Sequence, residues 1–185
     1  MVATSVHAQV LGSSFDRLPP LLRVVHDARP RKEFSGRCSV ISGNSWLART
    51  IAFFASLPRR SHDDVAVHVV IERSEGREGS ERRETWTRRF GEQRMQSSIR
   101  AGGDALEECF GPIVLRFELT AEPDRIVWQL KGARFLFVPV PKALFAGCGA
   151  FETIVDGRYF FDARAGMAGV GLLVHYKGWL TEHGR

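Results

Sequence analysis

The segment GLLVHYKGWL, residues 171–180, decides the fold. Leu172, Val174 and Tyr176 fall on one side of an alternating pattern, and His175 and Lys177 fall on the other. Successive side chains of a strand point to opposite faces, so this period of two predicts a β-strand with one face toward a core. If Leu172 and Val174 point inward, so does Tyr176, and His175 with Lys177 point out.

Upstream, from Val65 onward, the same period recurs, broken at regular intervals by turn residues such as Gly102 with Gly103, Pro123 with Asp124, and Asp156 with Gly157. Asp-Gly is a hairpin dipeptide, because both central residues of a type I′ turn need positive φ. The pattern predicts an antiparallel meander with strands over 65–73, 83–90, 94–101, 105–110, 113–119, 125–131, 135–137, 151–156, 158–165 and 171–180. Pro139 and Pro141 lack a ladder donor and are expected to interrupt any strand there, and 142–145 is expected as one helical turn.

Before the meander, Phe15, Leu18, Leu22 and Val25 recur at three or four residues, which predicts a helical region over 11–26 with Pro19 and Pro20 in its first turn. A strand over 34–42 follows, closed by Gly43 and Asn44. Ser45 is a good N-cap for a helix over 46–57, whose apolar residues Trp46, Leu47, Ile51, Phe53 and Phe54 sweep a wide stripe and which Pro58 stops. Residues 1–10 are expected as a flexible tail or a lid, and 11–185 as a single β-rich domain.

So many strands with two helices cannot lie in one flat sheet of this size. The expected class is mainly β (α+β): the antiparallel meander closes or half-closes into a calycin- or lipocalin-like β-barrel with two N-terminal helices. The alternative is a strongly bent antiparallel sheet wrapped on a helix. Both have a concave inner face.

Composition narrows the function. The 185 residues suffice for one core, and 44% hydrophobic with 25% charged residues is a globular balance. Lys and Arg number 26 against 21 Asp and Glu, giving a net charge of +5. In 72–100, however, eight arginines interleave with six glutamates, which argues for a solvated mixed-charge hairpin and against a nucleic-acid partner. Cys38, Cys109 and Cys148 are odd in number and form no CxxC pair, so reduced, mostly buried thiols are expected. No apolar run approaches the roughly 18–20 residues of a membrane span, and 1–9 lack the pattern of a secretory signal. A cytoplasmic protein is expected.

Several short patterns occur in an ordered series: Leu11, Gly12, Phe15, Leu18, Pro19 and His26; Trp86, Arg88, Phe90 and Gly91; Glu108, Phe110, Gly111 and Pro112. Pro139, Pro141, Glu152, Gly157, Arg158, Phe161 and Asp162 follow, then the strand 171–180 itself. Over nearly its whole length the sequence resembles the bacterial family of domains of unknown function numbered 4166, in a stand-alone form. In that family the domain often follows a saccharopine-dehydrogenase-like Rossmann domain, so the resemblance implies a possible separate dehydrogenase-like partner. These residues hold no GxGxxG element of their own, and no cofactor is expected. The family usually carries an apolar-Pro pair before the last strand, where this sequence has Gly166, Met167 and Ala168.

Alternation also selects candidate site residues. Trp86, Arg88 and Phe90 share a face, and an arginine bracketed by two aromatics is expected to point inward, paired with Glu108, Glu152 or Asp162. Two readings follow: a buried ion pair that fixes sheet register, or a cavity in which Arg88, Glu108, Glu152 and Tyr176 carry catalysis. In the second, an apolar wall raises the carboxyl pKa of Glu108 or Glu152, Tyr176 donates to a carbonyl oxygen, and Arg88 stabilises negative charge. Trp46, Trp86, Phe90, Phe117, Trp128 and Asp162 are the candidate ligand-binding residues. His26 is expected at a helix end, interacting with its dipole. The spacing of His62, His68 and His175 suits no metal, and no nucleophile elbow occurs.

Three functions fit. The first is a cofactor-independent cyclase, isomerase or dehydratase acting on an apolar, carbonyl-containing, polyketide-like intermediate. The second is a non-catalytic carrier or sensor for a hydrophobic ligand. The third is an interaction module for a Rossmann-type enzyme, which predicts a filled barrel and an exposed apolar patch. Oligomeric state is left open.

Overall fold

At the hairpin dipeptide the backbone does what the residues require: Asp156 and Gly157 both take positive φ, +50° and +72°, and join two of eleven strands. A computed structural model describes residues 4–74, 82–145 and 147–183. The strands are β1 (Arg31–Ser42), β2 (His62–Ser74), β3 (Arg83–Phe90), β4 (Gln93–Gly102), β5 (Ala105–Phe110), β6 (Ile113–Ala121), β7 (Arg125–Phe135), β8 (Val138–Val140), β9 (Gly149–Val155), β10 (Arg158–Met167) and β11 (Gly171–Glu182). The helices are α1 (Val6–Leu11), α2 (Pro20–Val25) and α3 (Trp46–Phe54). The tip of the mixed-charge stretch, residues 75–81, lies outside the described residues.

Each strand pairs antiparallel with its neighbour in sequence from β1 to β7, and again from β9 to β11. β7 also pairs with β9, and β1 with β11, so ten strands form a closed up-and-down barrel. The expected barrel is therefore present, and the sheet does not merely bend over a helix. β8 is an extra strand paired only with β7.

Three local expectations are corrected. The strand placed over 135–137 is not there: Phe135 ends β7, Leu136 turns with φ +56°, and β8 carries Pro139 at its centre. That proline is tolerated because β8 pairs on one side alone. The helical region over 11–26 is broken into α1, a 3-10 turn (Gly12–Arg17) and α2. Within the segment read as tail or lid, α1 buries Val6 and His7, and Ser5 Oγ caps it by accepting from the Ala8 N–H at 3.1 Å.

Ser45 caps α3 in the same way, accepting from Ala48 N–H at 3.1 Å. The stripe, however, faces the other way from what its hydrophobicity suggests. Ala48 and Ala52 are the buried residues, while Trp46, Phe53 and Phe54 are exposed. The helix lies so close to the chain at Gly43 that a Cβ there would sit 2.8 Å from the Ala48 Cβ. At that distance only small side chains fit between, and the large ones are turned out.

Closure between the first and last strands depends on two inward-facing glycines. A Cβ on Gly36 would meet the Trp179 carbonyl oxygen at 1.8 Å, and one on Gly178 would meet the Arg37 carbonyl oxygen at 2.2 Å. Strands that coil sharply over each other leave no room for side chains on the inner face. Gly36→Ala is therefore expected to lose about 1–3 kcal/mol of unfolding free energy by overpacking. Urea titration of both proteins measures this, and an unchanged midpoint would refute it.

Candidate functional site

Arg88 of β3 projects inward between Trp86 and Phe90, as alternation requires, and is 8% exposed. Its Nη1 donates to Ser97 Oγ at 2.9 Å and its Nη2 to Glu108 Oε1 at 3.2 Å. Ser97 Oγ donates a hydrogen bond to the same Oε1 at 2.6 Å. Ser97 lies on β4, between β3 and β5, so the three side chains bridge consecutive strands. The guanidinium also lies 4.9 Å from the Trp86 ring centroid. Burial opposes its charge, but Tyr176 and Glu108 outweigh that and raise its pKa. Of the three expected partners, Glu108 is the one it meets.

A second centre forms where α1 and α2 approach the barrel wall. His26 ends α2, as expected, but its ring is fully buried and its Nε2 is hydrogen-bonded to Glu152 Oε2. The dipole role expected for it is overturned: burial, then the charge of Lys32, push its pKa well below the ordinary histidine value, so it is neutral rather than cationic. Lys32 takes the helix-end role instead, donating from Nζ to the Val25 and Asp27 carbonyl oxygens at 2.8 and 2.9 Å.

His7 of α1 stacks on His26 with ring centroids 3.8 Å apart and lies 5.4 Å from Trp128. Burial holds its pKa well down too. Burial pushes the Glu152 carboxyl up to about 7, against the opposing effects of His7 and of a hydrogen bond with Tyr159. Tyr159 itself, on β10, is raised well above the usual phenol by burial and by Glu152. Glu152 is thus poised between acid and carboxylate near neutrality, beside a neutral imidazole.

Between the two centres lies a partly open cavity of about 100 Å³. Arg88, Glu108, Glu152, Tyr159 and Tyr176 contribute its polar lining, and Trp86, Phe90, Phe117 and Trp128 belong to its apolar wall. Phe117 and Trp128 meet edge to face at 5.7 Å. Tyr176 packs 5.3 Å from Phe90, and burial pushes its hydroxyl up to about 12. All four residues expected to carry catalysis therefore border one space, as do five of the six expected to bind ligand.

Two of those six are not placed as expected. Trp46 is 77% exposed on α3, for the close-packing reason given above. Asp162 borders the cavity, but strand register puts its side chain opposite Tyr159 and Phe161, and its Oδ1 bonds to His175 Nε2 at 2.8 Å. His175 faces outward as the opening strand implied.

Ser97, Tyr159 and His7 were not anticipated. Ser97 shares a face with Met95 and Ile99, and Tyr159 shares one with Phe161, so parity could have found both. No pattern marks His7. All three cysteines are free, with Cys38 buried and Cys109 and Cys148 half-buried. Among the described residues no group of three His, Cys, Asp or Glu is placed to hold a metal ion, and no helix is long and apolar enough to cross a membrane.

The class so defined is a closed ten-stranded β-barrel with a small cavity and two buried polar centres. The chain belongs to the family described as "Domain of unknown function (DUF4166)", whose model matches residues 18–180. Comparison with curated proteins gives no match. Among solved structures it is similar to Rv2717c from M. tuberculosis, at 12% identity and a TM-score of 0.43, over 90% of this chain and 99% of that one.

Two outcomes follow for stability. Arg88→Ala strands a buried Glu108 carboxylate and is expected to cost about 3–5 kcal/mol, whereas Arg88→Met with Glu108→Leu recovers most of it; a double variant as unstable as the single one in denaturant titration would contradict the pairing. For Glu152 the folded-state pKa, about 7, lies above the ordinary 4.5. The folded chain then holds an extra proton between those values, and its stability from this group falls as pH rises from about 4.5 to 7. His7 and His26, depressed in the fold, act oppositely, with stability lost as pH falls below about 6.5. Glu152→Gln removes only the first effect, so its stability relative to wild type should climb between pH 4.5 and 7 and level off above. A difference independent of pH would rule out the raised pKa.

Proposed function

We propose that the barrel binds a small, slender, apolar compound bearing a carbonyl, and that Glu152 moves a proton next to that carbonyl as a cofactor-independent isomerase, cyclase or dehydratase. The carrying observation is the buried Glu152 carboxyl, pushed up to about 7, on a cavity wall and bonded to a neutral His26. A general base or acid works best with a pKa near the operating pH, and positioned proton transfer contributes about 10²–10⁴-fold. Arg88 and Tyr176 supply donors for an enolate-like oxygen. Glu108, already neutralised by Arg88 and Ser97, holds that arginine in place.

The cavity of about 100 Å³ is smaller than the roughly 300–1,000 Å³ of sites for drug-sized ligands, which favours a slender substrate over a fused polycyclic one. The carrier reading shares the cavity and dispenses with the poised carboxyl. The interaction-module reading called for a filled barrel, against which the cavity counts.

The test uses small enones and ketones in D₂O and follows deuterium incorporation beside the carbonyl by proton NMR. Wild-type protein is expected to accelerate exchange with an inflection near pH 7, and Glu152→Gln to lower the rate by about 10²-fold or more. Binding without acceleration would replace the enzyme with the carrier.

A further inference from the structure

The large side chains turned outward on α3 are not isolated. The Phe54 carbonyl oxygen lies 3.5 Å from where a Cβ on Gly111 would be, so the end of α3 leans on the turn between β5 and β6. On the same turn the Pro112 carbonyl accepts from the Leu136 N–H at 2.7 Å, which brings in the β7–β8 hairpin. One end of the barrel thus carries a continuous apolar rim: Phe53 and Phe54 on one side of Gly111, Leu136 and Phe137 on the other. These four are 59%, 64%, 57% and 94% exposed. Phe110, which borders this turn, lines the cavity.

Charge beside the rim is mainly positive. Arg49, Arg59, Arg60 and Arg94 surround a surface depression together with Phe53, and Glu92 is the only acid among its lining residues. The Gln93 Oε1 accepts from the backbone N–H groups of Arg59 and Arg60 at 2.8 and 2.9 Å, fixing that segment. Arg59 lies over the Phe53 ring at 5.3 Å. Elsewhere on the surface Arg31, Arg37, Arg116 and Arg125 each hold a carboxylate within 4.0 Å. Among the described residues the four arginines at the rim have no ion-pair partner, so their positive charge is left uncompensated beside the apolar side chains.

We propose that this end of the barrel docks on an anionic lipid surface, with Phe53, Phe54, Leu136 and Phe137 in the headgroup layer and the arginines on lipid phosphates. Aromatic side chains flanked by Arg are the composition of interfacial anchors, and each basic residue near an anionic surface contributes roughly fivefold in affinity. A protein face with acidic groups would satisfy the arginines but would not explain four apolar side chains standing proud of the barrel on two separate elements. Docking also sets the cavity's Phe110 end against a reservoir of apolar molecules.

Vesicle co-sedimentation tests this with no ligand present, so its result is independent of the chemistry at Glu152. The wild-type chain is expected to pellet with phosphatidylcholine vesicles containing phosphatidylglycerol, and to do so at least tenfold less with phosphatidylcholine alone. Arg59→Glu with Arg60→Glu, and separately Phe53→Ser with Phe137→Ser, should each weaken binding about tenfold or more while leaving the thermal midpoint within a few degrees, since all four side chains are exposed. Absence of binding to anionic vesicles, equal binding to neutral ones, or binding unmoved by both variants would overturn the proposal. Binding lost only with the arginine pair would also overturn it, because it would leave a purely electrostatic contact with no role for the rim.

Discussion

Everything inside this protein follows from the pairing that joins β1 to β11. With that contact and the β6–β7 contact both made, the ten strands have no free edge between them. An inward-facing group then has only other inward-facing groups or the cavity as partners. That constraint is harsh for a polar side chain, since an unpaired buried charge costs several kcal/mol. It explains why Arg88, Ser97 and Glu108 form a closed circuit across three strands, and why no inward position at the crossing of β1 and β11 can carry a side chain at Gly36 or Gly178.

The two interior centres answer the constraint differently. At Arg88 the charge is kept and neutralised by a carboxylate, a serine and an aromatic face, which makes it an anchor for the sheet as well as a donor toward the cavity. At Glu152 the nearest partner, His26, is itself stripped of charge by burial. Burial dominates there, outweighing the opposing effects of His7, of the hydrogen bond with Tyr159 and of Arg88, and pushes the Glu152 carboxyl up to about 7. The same barrel therefore contains one carboxyl held by a guanidinium and a serine hydroxyl, and one whose burial pushes its pKa up to about 7.

Much of this was legible in the sequence, for a reason that also marks where legibility stops. Parity along a strand is a local property, so it turned Arg88 inward with Trp86 and Phe90 and set Tyr176 on the face opposite His175 before any partner was known. Which carboxylate meets Arg88 depends on register across β3, β4 and β5, which is not local. Asp162 alternates against Tyr159 and Phe161 of β10, so parity turns it outward and away from Arg88. His7 and His26 were out of reach for a different reason: their burial is imposed by how α1 and α2 seat on the barrel, and nothing in the periodicity of residues 4–26 records it. In α3 the hydrophobic stripe does not face the core, because close approach at Gly43 admits Ala48 and Ala52 and rejects phenylalanine.

The inverted stripe gives the barrel two unlike ends. At one, α1 and α2 seal the interior with buried histidines, and Lys32 caps the carbonyls at the end of α2. At the other, aromatic and aliphatic side chains stand in solvent beside arginines with no carboxylate partner. A molecule entering through the first end would have to displace His7 and His26 and break the bond to Glu152, undoing the environment that sets its pKa. Entry past Phe110 at the second end leaves that environment whole. The same asymmetry that exposes the rim thus leaves the buried histidines and their bond to Glu152 at the opposite end undisturbed.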